Sequence, residues 1–137
     1  MPDNSRFHSL DRARLREDHE RLHAFLERLR SEHDRERLTA LLDELPGQLE
    51  EHFRREEAPD GFYAALGVSL DEARGEIGRL LDDHFRLASM ARDIAQGARA
   101  PGVTTDTLRE QSARVADYLA DHERLERELA RALDAKN

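Results

Sequence analysis

The sequence contains no cysteine, which removes disulfides, zinc knuckles, iron–sulfur clusters and thiol nucleophiles together. Any metal chemistry must use histidine and carboxylates. Isoleucine and valine number only two and three, too few to build a sheet. Lysine is almost missing too, Lys136 standing alone among 22 basic residues, a skew that carries no functional argument. No apolar run exceeds the five residues Phe62 to Leu66, against the roughly 20 of a membrane-spanning helix. Met1 to Leu10 has no apolar stretch between Asp3, Arg6 and His8, so no signal peptide is predicted and a cytoplasmic location is expected. Basic excess is absent as well. Thirty acidic residues against 22 basic ones give a net charge of -8, which argues against a nucleic-acid backbone or an anionic membrane as partner.

What is present favours helix. Twenty leucines with abundant Ala, Glu and Arg, and 38% charged residues, predict an all-α chain. The length of 137 residues fits one domain over 1–137, with 1–8 as an N-terminal tail. Four stretches show the 3.6-residue period. The first, which Ser9 can cap, carries Leu15, His19, Leu22, Leu26 and Leu29. The second carries Leu38, Leu42, Leu45, Leu49, His52 and Glu56, stays in phase across a kink at Pro46-Gly47, and stops at Pro59-Asp60-Gly61. A capping box, Ser69 with Glu72, opens the third, whose seam is Leu70, Ile77, Leu80, His84, Leu87, Ala91 and Ile94. A second box, Thr107 with Glu110, follows a loop from Gly97 and opens the fourth, with Leu108, Val115, Leu119, His122, Glu126, Leu129 and Leu133. Short connections between such helices describe an antiparallel up-down four-helix bundle. Ala58 to Val68, with Phe62, Tyr63 and Leu66, is expected to form a partly helical elbow closing one end of the core.

Each seam replaces a leucine with a histidine, and register sets the four at one height. His19 and His52 both stand about 14 residues from the turn their helices share, roughly 21 Å at 1.5 Å per residue. His84 lies 13 residues before Gly97 and His122 lies 15 after Thr107, which places that pair at mid-height too. The four-residue spacings His52 to Glu56 and His122 to Glu126 put each pair on one helix face. The chain also repeats internally. The segment around His19 aligns with that around His84 at an offset of 65, and His52 with His122 at 70, so two helix hairpins related by a pseudo-two-fold would bring equivalent half-sites face to face.

A lone histidine on an apolar face is usually a satisfied core residue. Four at one level with two glutamates are different, because two buried carboxylates without a cation face a desolvation penalty of several kcal/mol each. No Lys or Arg occupies the neighbouring seam positions. Imidazole and carboxylate donors without sulfur suit iron, manganese or zinc. Six groups exceed one tetrahedral zinc and suit two ions bridged by carboxylates. The non-metal alternative is a hydrogen-bonded His/Glu network in a bundle that mediates association.

The order His19, His52-x-x-x-Glu56, His84, His122-x-x-x-Glu126 resembles the hemerythrin-like family of HHE cation-binding domains, from about Leu15 to Leu133. Asp18-His19, His52-Phe53 and Glu56-Glu57 add to the likeness. The resemblance implies a hemerythrin-like bundle holding two non-haem irons with an oxo or hydroxo bridge. One would be held by His19 and His52 and the other by His84 and His122, with Glu56 and Glu126 bridging. It also implies a small partner, O2, nitric oxide or peroxide.

The sequence departs from oxygen-carrying hemerythrins in two places. Ala88 stands where their third helix has a second histidine, and Arg127 where their last helix has an aspartate, so Glu126 must supply the carboxylate. Aligning the halves sets His23 against Ala88, which makes His23 a candidate fifth histidine ligand and Ala88 the wall of a small void. Tyr118 and Tyr63 are candidates to donate hydrogen bonds behind the ligands, with plain packing as the alternative. His8 and His33 are expected at the surface. Three functions follow: a holder or sensor of O2 or nitric oxide, an enzyme-like scavenger that disproportionates peroxide, and a metal-storing or structural bundle.

Overall fold

The computed structural model describes residues 9–69 and 73–136, with side chains from 12–67 and 73–135. Five helices run through them: α1 (Ser9–Ser31), α2 (Arg35–Glu57), the short α3 (Phe62–Ser69), α4 (Arg74–Gly97) and α5 (Thr105–Lys136). No strand occurs among the described residues. The all-helical expectation therefore holds. Loops of three and seven residues join α1 to α2 and α4 to α5, and connections this short force the partners antiparallel. Around the bundle α1 packs on α2, α2 on α4, α4 on α5, and α5 back on α1, while α3 lies against α2, α4 and α5.

Local chemistry explains most boundaries. Asp34 caps α2, its Oδ2 accepting the Arg37 amide at 3.1 Å. The loop before α5 turns at Gly102, whose φ of 90° suits a residue without a Cβ. Helix α2 continues through Pro46, and the leucine seam holds phase across it, with Leu45 and Leu49 both fully buried.

Two predicted starts are corrected. Ser69 belongs to the end of α3 and α4 begins at Arg74 behind Ala73, with no side-chain cap. Glu72 and Leu70 lie outside the described residues. Helix α5 starts two residues earlier than Thr107, and the cap is Thr104, whose Oγ1 accepts the Thr107 amide at 3.0 Å. The Ser9 cap falls on a side chain outside the described ones.

The core divides into two apolar clusters. The larger holds Leu22, Leu26 and Leu29 of α1, Leu38 to Phe53 of α2, Leu87, Ala91 and Ile94 of α4, and Leu108 to Leu119 of α5. The smaller joins Phe62, Tyr63, Ala65 and Leu66 of α3 to Leu80 and Leu133, with Leu15, Leu125 and Leu129 packed on it. On α1, α4 and α5 the predicted histidine falls between residues of the two clusters, and on α2 His52 sits between Leu49 and Phe53 of the larger one. Each fully buried leucine contributes roughly 1.5–3 kcal/mol relative to exposure, so the polar layer is clamped from both ends.

Candidate metal centre

His19 of α1, His52 and Glu56 of α2, His84 of α4, and His122 and Glu126 of α5 converge in that layer. His19, His52, Glu56 and Glu126 each offer one ligand atom, all within 4.8 Å of one another, and Glu56, His84, His122 and Glu126 do the same. The groups share both glutamates. Their symmetry is metrical as well: the His19 and His52 rings lie 5.0 Å apart and the His84 and His122 rings 4.9 Å. His19 Nε2 is 3.2 Å from Glu126 Oε1 and 3.5 Å from Glu56 Oε2. His84 Nε2 is 3.2 Å from Glu56 Oε1, and the Nε2 atoms of His52 and His122 lie 3.4 and 3.5 Å from the glutamate of their own helix.

Outside this layer three imidazoles rest on carboxylates through their other nitrogen. His19 Nδ1 is 3.2 Å from Glu123 Oε2, His84 Nδ1 is 2.8 Å from Glu57 Oε2, and His122 Nδ1 is 3.1 Å from Asp83 Oδ2. Tyr118 donates to the other Asp83 oxygen at 2.8 Å. A carboxylate that accepts from Nδ1–H, as Glu57 and Asp83 do, fixes the tautomer, aims Nε2 inward and raises its basicity, which is the arrangement around metal-binding histidines; Glu123 faces His19 at ion-pair distance. Sequence reasoning missed Glu123, Glu57 and Asp83 in this role. Glu123 carried a signal, because it lies four residues after Leu119 and three before Glu126 and so shares their face.

Tyr63 enters from α3. Its Oη lies 2.9 Å from Glu126 Oε2, 2.7 Å from His84 Nε2, 3.3 Å from His122 Nε2 and 3.4 Å from Glu56 Oε1. Phe53 stacks flat on His84, with ring centroids 3.7 Å apart. His23 is half exposed and sets Nε2 3.0 Å from Glu123 Oε1, and it joins neither four-residue group. The Ala88 void is an open groove of about 560 Å³ between α2 and α4, lined also by Phe53, His84 and Phe85. His33 is exposed and accepts from Arg109 at 2.8 Å, and His8 lies outside the described residues.

Protonation in the metal-free layer follows from burying carboxylates against imidazoles. Burial alone would lower His19 and His122, but Glu126 and Glu56 beside His19 lift it to about 10, and Glu126 and Asp83 lift His122 to about 9. Burial and the charge on His19 push His52 down to about 4. Burial next to Glu126 pushes Glu56 up to about 7. Burial would also raise Glu126, yet the neighbouring Glu56, His122 and His19 hold it well below the usual carboxylate range. Burial raises Glu123. Protons here do the work of cations.

Metal ions fit the donor set. His19 Nε2, both His52 ring nitrogens, Glu56 Oε2, Glu126 Oε1 and both Glu123 oxygens are buried without a hydrogen bond, and such an atom costs about 1–3 kcal/mol unless something satisfies it. An ion shared by His19 Nε2, His52 Nε2, Glu56 Oε2 and Glu126 Oε1 would satisfy these four together, and neutral imidazoles with carboxylates suit iron, manganese or zinc.

Fold and layer together define a helical-bundle protein with a buried layer of histidines and glutamates that could hold a metal ion. The chain belongs to the family described as the Hemerythrin HHE cation binding domain, whose model matches residues 11–133. No curated protein and no solved structure matches it.

Proposed function

We propose that this protein holds two iron ions, one at His19 and His52 and one at His84 and His122, with Glu56 and Glu126 bridging them. We propose further that this centre binds or reacts with O2, nitric oxide or peroxide. The observation that carries the reading is the pair of four-residue groups sharing Glu56 and Glu126, a geometry that two adjacent cations need and one does not. Manganese and zinc satisfy the same donors; iron is proposed because it joins this ligand set to O2 and nitric oxide among the family's expected small partners. When bound, the irons would supply a redox-active centre.

The chain supplies the rest. The two apolar clusters keep bulk water from the layer, and Glu123, Glu57 and Asp83 aim three of the four histidines. A cleft of about 200 Å³ lined by Arg14, Asp18, Arg55, Gly61 and Phe62 reaches Glu56, which gives a small molecule a way to the layer.

The test is metal analysis of purified protein, then optical spectra of the reduced form exposed separately to O2, nitric oxide and peroxide. Two irons per chain with a spectral change on exposure are expected. Reversible bands with O2 or nitric oxide identify a holder, and oxygen evolution from peroxide a scavenger. Absence of stoichiometric metal would leave the structural bundle.

A further inference from the structure

The pseudo-two-fold leaves the halves of the centre unequal, and the inequality lies in one side chain. Among the described residues a short helix like α3 occurs only between the two hairpins, and Tyr63 has no counterpart there beside His19 and His52. Around His19 and His52 the inward atoms have no hydrogen bond, whereas around His84 and His122 the Tyr63 hydroxyl touches every member of the group.

The distances say what kind of neighbour Tyr63 is. Two donor atoms bound to one ion at about 2.0–2.2 Å and at right angles stand roughly 3 Å apart. The Tyr63 oxygen stands 2.7 to 3.4 Å from the nearest donor atoms of His84, Glu126, His122 and Glu56. Those atoms keep similar spacings among themselves, 3.2 Å from His84 Nε2 to His122 Nε2, 3.2 Å from His84 Nε2 to Glu56 Oε1, and 3.5 Å from His122 Nε2 to Glu126 Oε2. The five atoms are spaced like corners of one coordination shell. A group supporting the ligands from behind would approach the outer nitrogens, as Glu57 and Asp83 do.

We propose that Tyr63 is a metal ligand, its phenolate oxygen binding the ion held by His84 and His122; this rests on the two-metal reading above. The ion takes the place of the phenol proton, which is released on binding as from other protein ligands. The position is built rather than accidental. Tyr63 is 5% exposed, its ring stacks on His84, and Phe62 beside it is 1% exposed in the smaller apolar cluster. One phenolate gives the His84/His122 ion a negative donor that the His19/His52 ion lacks, so the first should favour the ferric state.

A ferric ion bound by phenolate shows a visible charge-transfer band, and light tuned to that band enhances tyrosine ring vibrations in the Raman spectrum. The sequence has two tyrosines, which makes assignment direct. Iron-loaded, oxidised wild-type protein should show the band. Tyr118→Phe should keep it, and Tyr63→Phe should lose it while retaining iron. If Tyr63→Phe fails to fold, survival of the band in Tyr118→Phe still assigns it, because Tyr63 is then the only tyrosine. Iron-loaded wild type without the band, loss of the band in Tyr118→Phe, or its survival in Tyr63→Phe overturns the assignment. Iron content separates the two claims: wild type without iron overturns the two-metal reading and this one with it, whereas iron without the band overturns this one alone.

Discussion

At Glu123 a carboxylate with 1% exposure lies between two histidines, 3.2 Å from His19 Nδ1 and 3.0 Å from His23 Nε2. Its position decides what each histidine can do. His19 is turned so that Nε2 meets Glu56 and Glu126, whereas the one nitrogen of His23 that reaches inward stops at Glu123. Glu123→Gln should therefore lower metal affinity about 10–100-fold, the usual cost of removing a carboxylate behind a metal-binding histidine. His23→Ala should leave metal content unchanged. Titration of both variants with Fe(II) checks the pair, and a His23→Ala protein that holds one ion fewer would restore His23 as a ligand. The six inward residues were legible in the sequence because seam position and height are fixed by helix geometry. Glu123 was obscured by its neighbour: His122 already filled the polar slot, although the inward face of α5 spans both positions.

Elements place the site through close approaches that residue types alone do not disclose. Gly61 is the clearest case. A Cβ there would collide with the Arg55 carbonyl oxygen and stand 2.7 Å from that of Glu56, so only glycine lets the chain fold back onto the end of α2 and start α3 one residue later. That reversal carries Tyr63 into the layer. The sequence showed the breaker Pro59-Asp60-Gly61 and the apolar elbow, but the direction in which Tyr63 points depends on backbone contact with α2, which has no sequence signal. Gly61→Ala should destabilise the fold by about 1–3 kcal/mol, the range for forcing atoms into a packed site, as read by denaturant unfolding. Asp34→Ala should cost about 0.5–2 kcal/mol through the lost α2 cap, without altering the metal layer.

For the molecule as a whole, the polar layer makes stability depend on what cation fills it. In metal-free protein His19 and His122 have pKa values raised from 6.5 to about 10 and 9, and Glu56 from 4.5 to about 7. Groups raised on folding stabilise fully below their unfolded values and lose that contribution as pH rises through the folded ones. His52, lowered to about 4, acts oppositely, contributing above 6.5 and losing it as pH falls through 4. Metal-free protein should accordingly melt at falling temperature from about pH 7 to 10. Bound metal needs deprotonated ligands and gains from the same rise, so the gap between metal-loaded and metal-free melting temperatures should widen over that window. Equal curves across it would mean that no ion stabilises the layer.

The most direct test of the centre counts ions. Protein expressed with iron supplied and freed of loosely bound metal should carry about two irons per chain by elemental analysis, and the double variant Glu56→Ala with Glu126→Ala should carry fewer than one while keeping its helical circular-dichroism spectrum. Wild-type protein with no stoichiometric metal, or a double variant with full occupancy, would contradict the account.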